Sequence, residues 1–245
     1  MKRFFLVTLV CLGALTTVLA QRNRPNFSIQ LGYGTRFFNP APLNLAIDSV
    51  YNVQAAALGL DQGLSEVKWT PGFFGAVALH RGRASFRASY STFGASSFAL
   101  GIDSVGLDYR RDLAVRGQLV TVSLTSELIP IGDYVTFCVG TGFNAMRLQT
   151  ATAQVAASAF DPEAELQIVS DEWKPGFLVQ APFRVHIPPI FAISLEPYYQ
   201  VFFSPGDFTG VSRAISGPSS LDGRLKGDID HFGINAALIV YLRPR

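Results

Sequence analysis

The chain has 245 residues, 49% of them hydrophobic and only 16% charged, with 22 Gly and 20 Phe. That length accommodates an ample core, and so apolar a composition excludes a disordered chain. Twenty Lys and Arg against 18 Asp and Glu leave +2, too little for a nucleic-acid surface, and two cysteines make neither a disulfide framework nor a cysteine-based zinc site.

Residues 1–20 read as a signal peptide. Lys2 and Arg3 supply its positive end, Phe4 to Val18 its apolar run, and Val18-Leu19-Ala20 its cleavage site. The run is short of the roughly 20 residues a spanning helix needs. Cys11 lies inside it without the small residues that precede a lipoprotein cysteine. Cleavage removes Lys2, Arg3 and Cys11, so residues 21–245 carry 18 basic and 18 acidic groups and one thiol, Cys138.

The first element beyond it, 26–38, alternates with a period of two: Phe27, Ile29, Leu31, Tyr33, Thr35 and Phe37 against Ser28, Gln30, Gly32, Gly34 and Arg36. The connection 39–69 carries Leu43, Ile47, Val50, Tyr51, Gln54 and Leu58 at helical spacing, with Asn39 as N-cap, predicting a short amphipathic helix. Such a helix could plug a barrel mouth, lie on a membrane or face a partner.

Strands are then expected over 70–80 and 83–94, the second setting Phe86, Ala88 and Tyr90 against Ser85, Arg87 and Ser89. After a loop at 95–112 come strands over 113–128 and 133–147. A third loop, 148–173, holds Asp161, Glu163, Glu165, Asp171 and Glu172, which could hold a divalent cation or simply be solvated. Strands over 174–187 and 190–203, a fourth loop over 204–227 and a strand over 228–242 complete the pattern. Pro182 and Pro197 interrupt the sixth and seventh strands, where a bulge is expected because proline deletes a ladder hydrogen bond.

Eight long alternating segments, joined by short turns at one end and long loops at the other, describe an all-β, closed, antiparallel up-and-down transmembrane barrel with a short helix in its first long loop. Lipid offers the backbone no hydrogen-bond partners, so a span without a helix must close its sheet. All acids except Glu127, Asp133 and Glu196 lie in or beside the long connections, while Arg22, Arg24, Arg81, Arg83, Arg243 and Arg245 gather at the turn end. Aromatic residues fall near strand ends, as an interfacial girdle requires. Trp69, Phe73, Trp173 and Phe177 among them form a candidate partner surface. Trp69-Thr70-Pro71-Gly72-Phe73 reappears as Trp173-Lys174-Pro175-Gly176-Phe177, and Gly32-x-Gly34 as Gly140-x-Gly142, which reads as either a duplication or convergence at equal depth.

On this pattern, over nearly all of residues 26–242, the chain resembles the small eight-stranded OmpA/OmpX-like outer-membrane barrels. The resemblance implies an integral outer-membrane protein. Such barrels usually end on an aromatic residue read by the assembly machinery, a place that Tyr241 and Leu242 would take here. An eight-stranded barrel is filled by its own side chains. Arg36, Arg87, Arg184, Glu196 and Gln200, with Gln30, Gln118, Thr136, Asn144 and Gln180, are the inward candidates, Arg184 and Glu196 being diagonal neighbours suited to an ion pair.

The expected role is structural or interactive: membrane integrity, contact with outer-membrane lipids and lipopolysaccharide, or a protein partner held by the loops, as a monomer or an accessory subunit. A small-solute channel is the alternative, with Gly32, Gly34, Gly140 and Gly142 leaving space inside. A lipid-modifying enzyme is a third reading. His80 and His186 fall at the turn end and His231 at the loop end, and no His-x-Ser lies on a strand, so no enzyme is expected. No motif asks for a cofactor or a metal.

Overall fold

The computed structural model describes residues 26–38, 40–53, 63–102, 108–132, 134–156, 166–216 and 221–242. The signal peptide, Asn39, Gln54, Leu58 and the acidic run 161–165 lie outside them. In chain order come β1 (Asn26–Phe37), α1 (Ala41–Ala46) running on as a π-helical turn (Ile47–Asn52), β2 (Trp69–Arg81), β3 (Ala84–Ile102), β4 (Asp108–Ile131) and β5 (Val135–Ala156). Then follow β6 (Gln167–Gln180), β7 (Phe183–Ile187), β8 (Phe191–Phe202), β9 (Gly206–Asp207), α2 (Thr209–Ser216), β10 (Lys226–Gly227) and β11 (His231–Tyr241).

The strands pair antiparallel in sequence order, and β11 pairs with both β1 and β8, so the sheet closes on itself. β6 and β7 are one spanning strand. Gln180↔Tyr198 and Phe183↔Leu195 keep a single register against β8, as Gly140↔Gln180 and Phe137↔Phe183 do against β5. The ring therefore has eight staves. β2 turns into β3 through Gly82-Arg83, with Gly82 at φ 61°, as a two-residue hairpin favours.

The bulge expected at Pro182 and Pro197 does not form. Each proline keeps the accepting half of its pairing: Cys138 N donates to Pro182 O at 2.8 Å and Ala181 N to Pro197 O at 2.9 Å. One missing N–H on each is absorbed without a shift in register. The slips fall instead at Leu128, between β4 and β5, and at Val169, between β5 and β6.

Residues 95–102 and 108–112, expected within a loop, are strand: β3 and β4 stay paired from Ala84↔Ser126 to Ile102↔Asp108. β5 and β6 likewise run beyond the limits expected for them, to Ala156 and from Gln167. β2 pairs with β3 only as far as Phe74↔Ser91, so the upper parts of β3–β6 rise past the ring as a sheet whose β3 edge β2 does not cover. Ala95, Ser96 and Ser97 alternate too weakly in hydropathy to announce this extension. Register continued from below makes it.

Candidate functional site

The interior has three storeys, each built by inward residues of consecutive staves. At the turn end Ala192, Ile239 and Tyr241 pack together. His80 and His186 sit beside the Tyr241 ring, at 5.2 and 6.1 Å. Ser28 Oγ lies 2.8 Å from His80 Nε2, and Thr136 Oγ1 lies 3.1 Å from His186 Nε2.

The middle storey is polar and centred on Arg87. Its Nη1 donates to Glu196 Oε2 at 2.6 Å and to Gln30 Oε1 at 3.3 Å, and its Nη2 donates to Gln180 Oε1. Gln180 Nε2 passes the network on to Ser123 Oγ (3.3 Å) and Thr125 Oγ1 (3.1 Å), and Ser194 Oγ donates to Glu196 Oε1 at 3.0 Å. Glu196 thus pairs with Arg87 across the barrel and not with Arg184, its diagonal neighbour. The Arg87 guanidinium reaches Glu196 from β3 across the interior, whereas Arg184, on the neighbouring stave, stands opposite Ser194. Arg184 and Gln200 are buried and face inward, as do Thr136 and Asn144. Arg36 donates to Ser91 Oγ at 2.7 Å and lies over the Phe93 ring at 4.4 Å. Gln118 is on the outer face, because the buried positions of β4 from Arg111 to Thr125 are the odd ones, Ala114 apart.

The inward glycines do not open a lumen. Phe74 fills the space over Gly32, Asn235 that over Gly34, and carbonyls crowd Gly140 and Gly142. A cavity of about 20 Å³ remains among residues including Arg36, Arg87, Gln180, Tyr198 and Gln200, room for about one water.

Above it lies an apolar cap. Leu43, Ile47, Val50 and Tyr51 of the first-loop helix pack with Phe208 and Val211 of the fourth loop against Leu113, Val115 and Leu148 of the risen sheet. The helix therefore plugs the mouth. Its cap position is Pro40, whose carbonyl accepts from Asn44 N at 3.0 Å. Two asparagines sew the returning chain onto it. Asn44 exchanges two bonds with Val67 (2.9 and 3.2 Å) and Asn52 two with Leu64 (2.8 and 3.2 Å).

Tyr51 donates to Thr152 Oγ1 at 3.0 Å, and burial pushes its hydroxyl up to about 12. Burial works against the Asp207 carboxylate, but hydrogen bonds from Lys226 and Thr209 outweigh it and hold the group at about 2. His231 is enclosed by the rings of Phe38, Phe93, Tyr198 and Phe202 at the base of the cap, which leaves it no route to a lipid substrate. Among the described residues no group of three or more His, Cys, Asp or Glu could hold a metal. Asp171 and Glu172 are engaged by Arg147 and Lys174.

The outer wall is apolar, with exposed Phe, Tyr, Ile, Leu and Val on every stave. Near its upper edge Phe37 packs on Trp69 (5.0 Å) and Phe232 (5.8 Å), and Tyr33 on Phe73 (5.0 Å). Trp69, Phe73 and Trp173 are exposed. Phe177, placed with them by the repeated motif, is only 9% exposed, its ring against Phe143 at 5.6 Å. The two copies share a position in the barrel but not surroundings. Phe98, Leu100, Ile102 and Ile168 continue the exposed apolar surface on the risen sheet. The cap's fourth-loop half escaped sequence reading, although Phe208 and Val211 stand at the i, i+3 spacing of a helix face.

No protein-family model matches the chain, and no curated protein matches it. Solved structures similar to it include Ail, the attachment invasion locus protein of Yersinia pestis in complex with the heparin analogue sucrose octasulfate. Identity there is 14% and the TM-score 0.43, over 89% of this chain and 99% of that one. Neisserial surface protein A is 8% identical with a TM-score of 0.47, over 89% and 99%. The N-terminal β-barrel domain of Pseudomonas aeruginosa OprF is 8% identical with a TM-score of 0.43, over 89% and 98%. By its own strand pairing the chain is a closed eight-stranded up-and-down β-barrel, the architecture of the small outer-membrane barrels it resembles.

Proposed function

We propose that the protein is an integral outer-membrane barrel, exported through a cleaved signal peptide at residues 1–20, with a structural and interaction role and no catalysis. One observation carries the reading: a closed ring exposes an apolar wall all round, while its polar groups are gathered inside or at the two ends. Lipid is the solvent that such a surface suits, since soluble monomers rarely expose continuous apolar area of this extent. The interaction surface on this reading is the risen part of β3–β6 with Trp69 and Trp173. The first-loop helix is spent on the cap. A solute channel is not favoured, because the middle storey is filled by hydrogen-bonded side chains and the mouth by the cap.

Extraction of the protein from isolated outer membranes in mild detergent, followed by particle mass, tests this. A folded barrel of one chain is expected for a self-sufficient protein, and a larger reproducible particle for an accessory subunit. Absence from the outer membrane would overturn the reading.

A further inference from the structure

Most wall glycines are there because a neighbour needs their space. A Cβ at Gly32, Gly72, Gly142 or Gly233 would come within 2.3 Å of another atom. Gly75 differs. Its Cβ would meet nothing nearer than Leu31 Cδ2 at 3.6 Å. It pairs with Leu31 on β1 and Tyr90 on β3, on the lipid-facing side of the wall. An open surface depression of about 650 Å³ lies there, with Gly75 in its floor and Leu31, Tyr33, Phe73 and Tyr90 among its walls. It runs on into a second of about 440 Å³ past Val77 and Ala88. These walls are apolar and lie within the band that lipid covers, so the shape suits an acyl chain.

The upper end of the depression is at Thr92, and the chemistry changes there. Thr92 pairs with Gln118, and the next outward pair up is Gly94 with Arg116, whose Cγ is 3.9 Å from where a Cβ at Gly94 would stand. The neighbouring outward arginines are neutralised: Arg110 by Asp112 at 2.7 Å and Arg147 by Asp171 at 2.6 Å. Arg116 is exposed and stands outside these ion pairs. A cation at the head of an apolar groove, beside the polar Gln118 and Ser96, is the complement of a phosphate on an acylated, hydroxyl-rich headgroup.

The geometry points to a lipid-binding site on the outer wall of β1–β4. Its occupant is the phosphorylated acyl glycolipid of the leaflet at the long-loop end, with an acyl chain over Gly75 and a phosphate at Arg116. This deepens the proposed function and rests on the barrel's spanning the outer membrane, where that lipid is lipid A.

The test is native mass spectrometry of the full chain extracted from outer membranes, with titration by bis-phosphorylated lipid A in micelles. One lipid A retained per barrel is expected, lost in Gly75→Leu and weakened roughly five- to tenfold in Arg116→Gln, the scale of one charge-assisted hydrogen bond in a partly exposed site. Ala88→Leu fills the lower depression from β3 and serves if Gly75→Leu does not fold. Folding is checked by circular dichroism and by the gel shift on boiling. Retention unchanged in the folded filling variant, or phosphatidylglycerol bound as well as lipid A, overturns the site. A folded barrel recovered from outer membranes without lipid overturns it too while leaving the membrane reading intact. Absence from the outer membrane overturns both.

Discussion

Arg87 is the residue on which the middle storey turns, since it alone reaches Glu196, Gln30 and Gln180. Truncating one partner of a buried pair strands the other, at a cost of about 3–5 kcal/mol. Glu196→Ala should lower stability by that order in urea unfolding from vesicles. Arg87→Ala with Glu196→Ala should cost clearly less than the sum of the two single changes, because the double variant strands neither partner of the pair. At the loop end Asp207 titrates differently folded and unfolded. Its folded pKa of about 2 is depressed below the ordinary carboxylate value, so its stabilisation is full above about pH 4 and is lost as pH falls towards 2. Protection of the amides around residues 206–210, with exchange corrected for its intrinsic pH dependence, should fall across that window. In Asp207→Asn that protection should be lower at neutral pH and flat between pH 4 and 2.

At the scale of elements, the first-loop helix is short and its last turn is π-helical, so propensity alone would not hold it. Its stability comes from the buried face Leu43, Ile47, Val50 and Tyr51 and from the asparagine clamps. Asn44→Ala leaves a buried N–H and C=O of Val67 unpaired, a loss of about 2 kcal/mol. Hydrogen exchange at Val67 should rise roughly 30-fold, with the strands' exchange unchanged. The helix itself was legible from its spacing. Plugging of the mouth was among the readings it allowed, but the residues it meets were not legible, because they come from β4, β5 and a fourth loop more than 150 residues away. The extension of β3–β6 was illegible for a related reason: Ala- and Ser-rich strand that packs only one face on a cap carries little hydropathy contrast.

Over the whole molecule, apolar residues face outward along the eight staves, the reverse of a soluble barrel. Leu195 is exposed at the middle of β8. Leu195→Arg should therefore cost about 2–4 kcal/mol of stability in bilayers, as a cation near the midplane does, measured by urea titration of vesicle-inserted protein. An arginine on the risen sheet in place of Phe98 should cost far less, since that part stands above the apolar band.

The alternation along the strands and the membrane-suited class were determined by the sequence alone, because a period of two repeated over eight segments is local and survives without knowledge of neighbours. The count of eight staves and the outward face of Gln118 were settled by strand register. Which residues meet was decided only by closure. The ring's stagger sets Glu196 against Arg87 and not Arg184, the crowding around the second copy of the repeated motif covers Phe177 while Phe73 stays open, and two distant loops meet over the mouth as one apolar cap. Each is a contact between segments far apart in the chain, and its partners share no spacing in the sequence by which they could be matched.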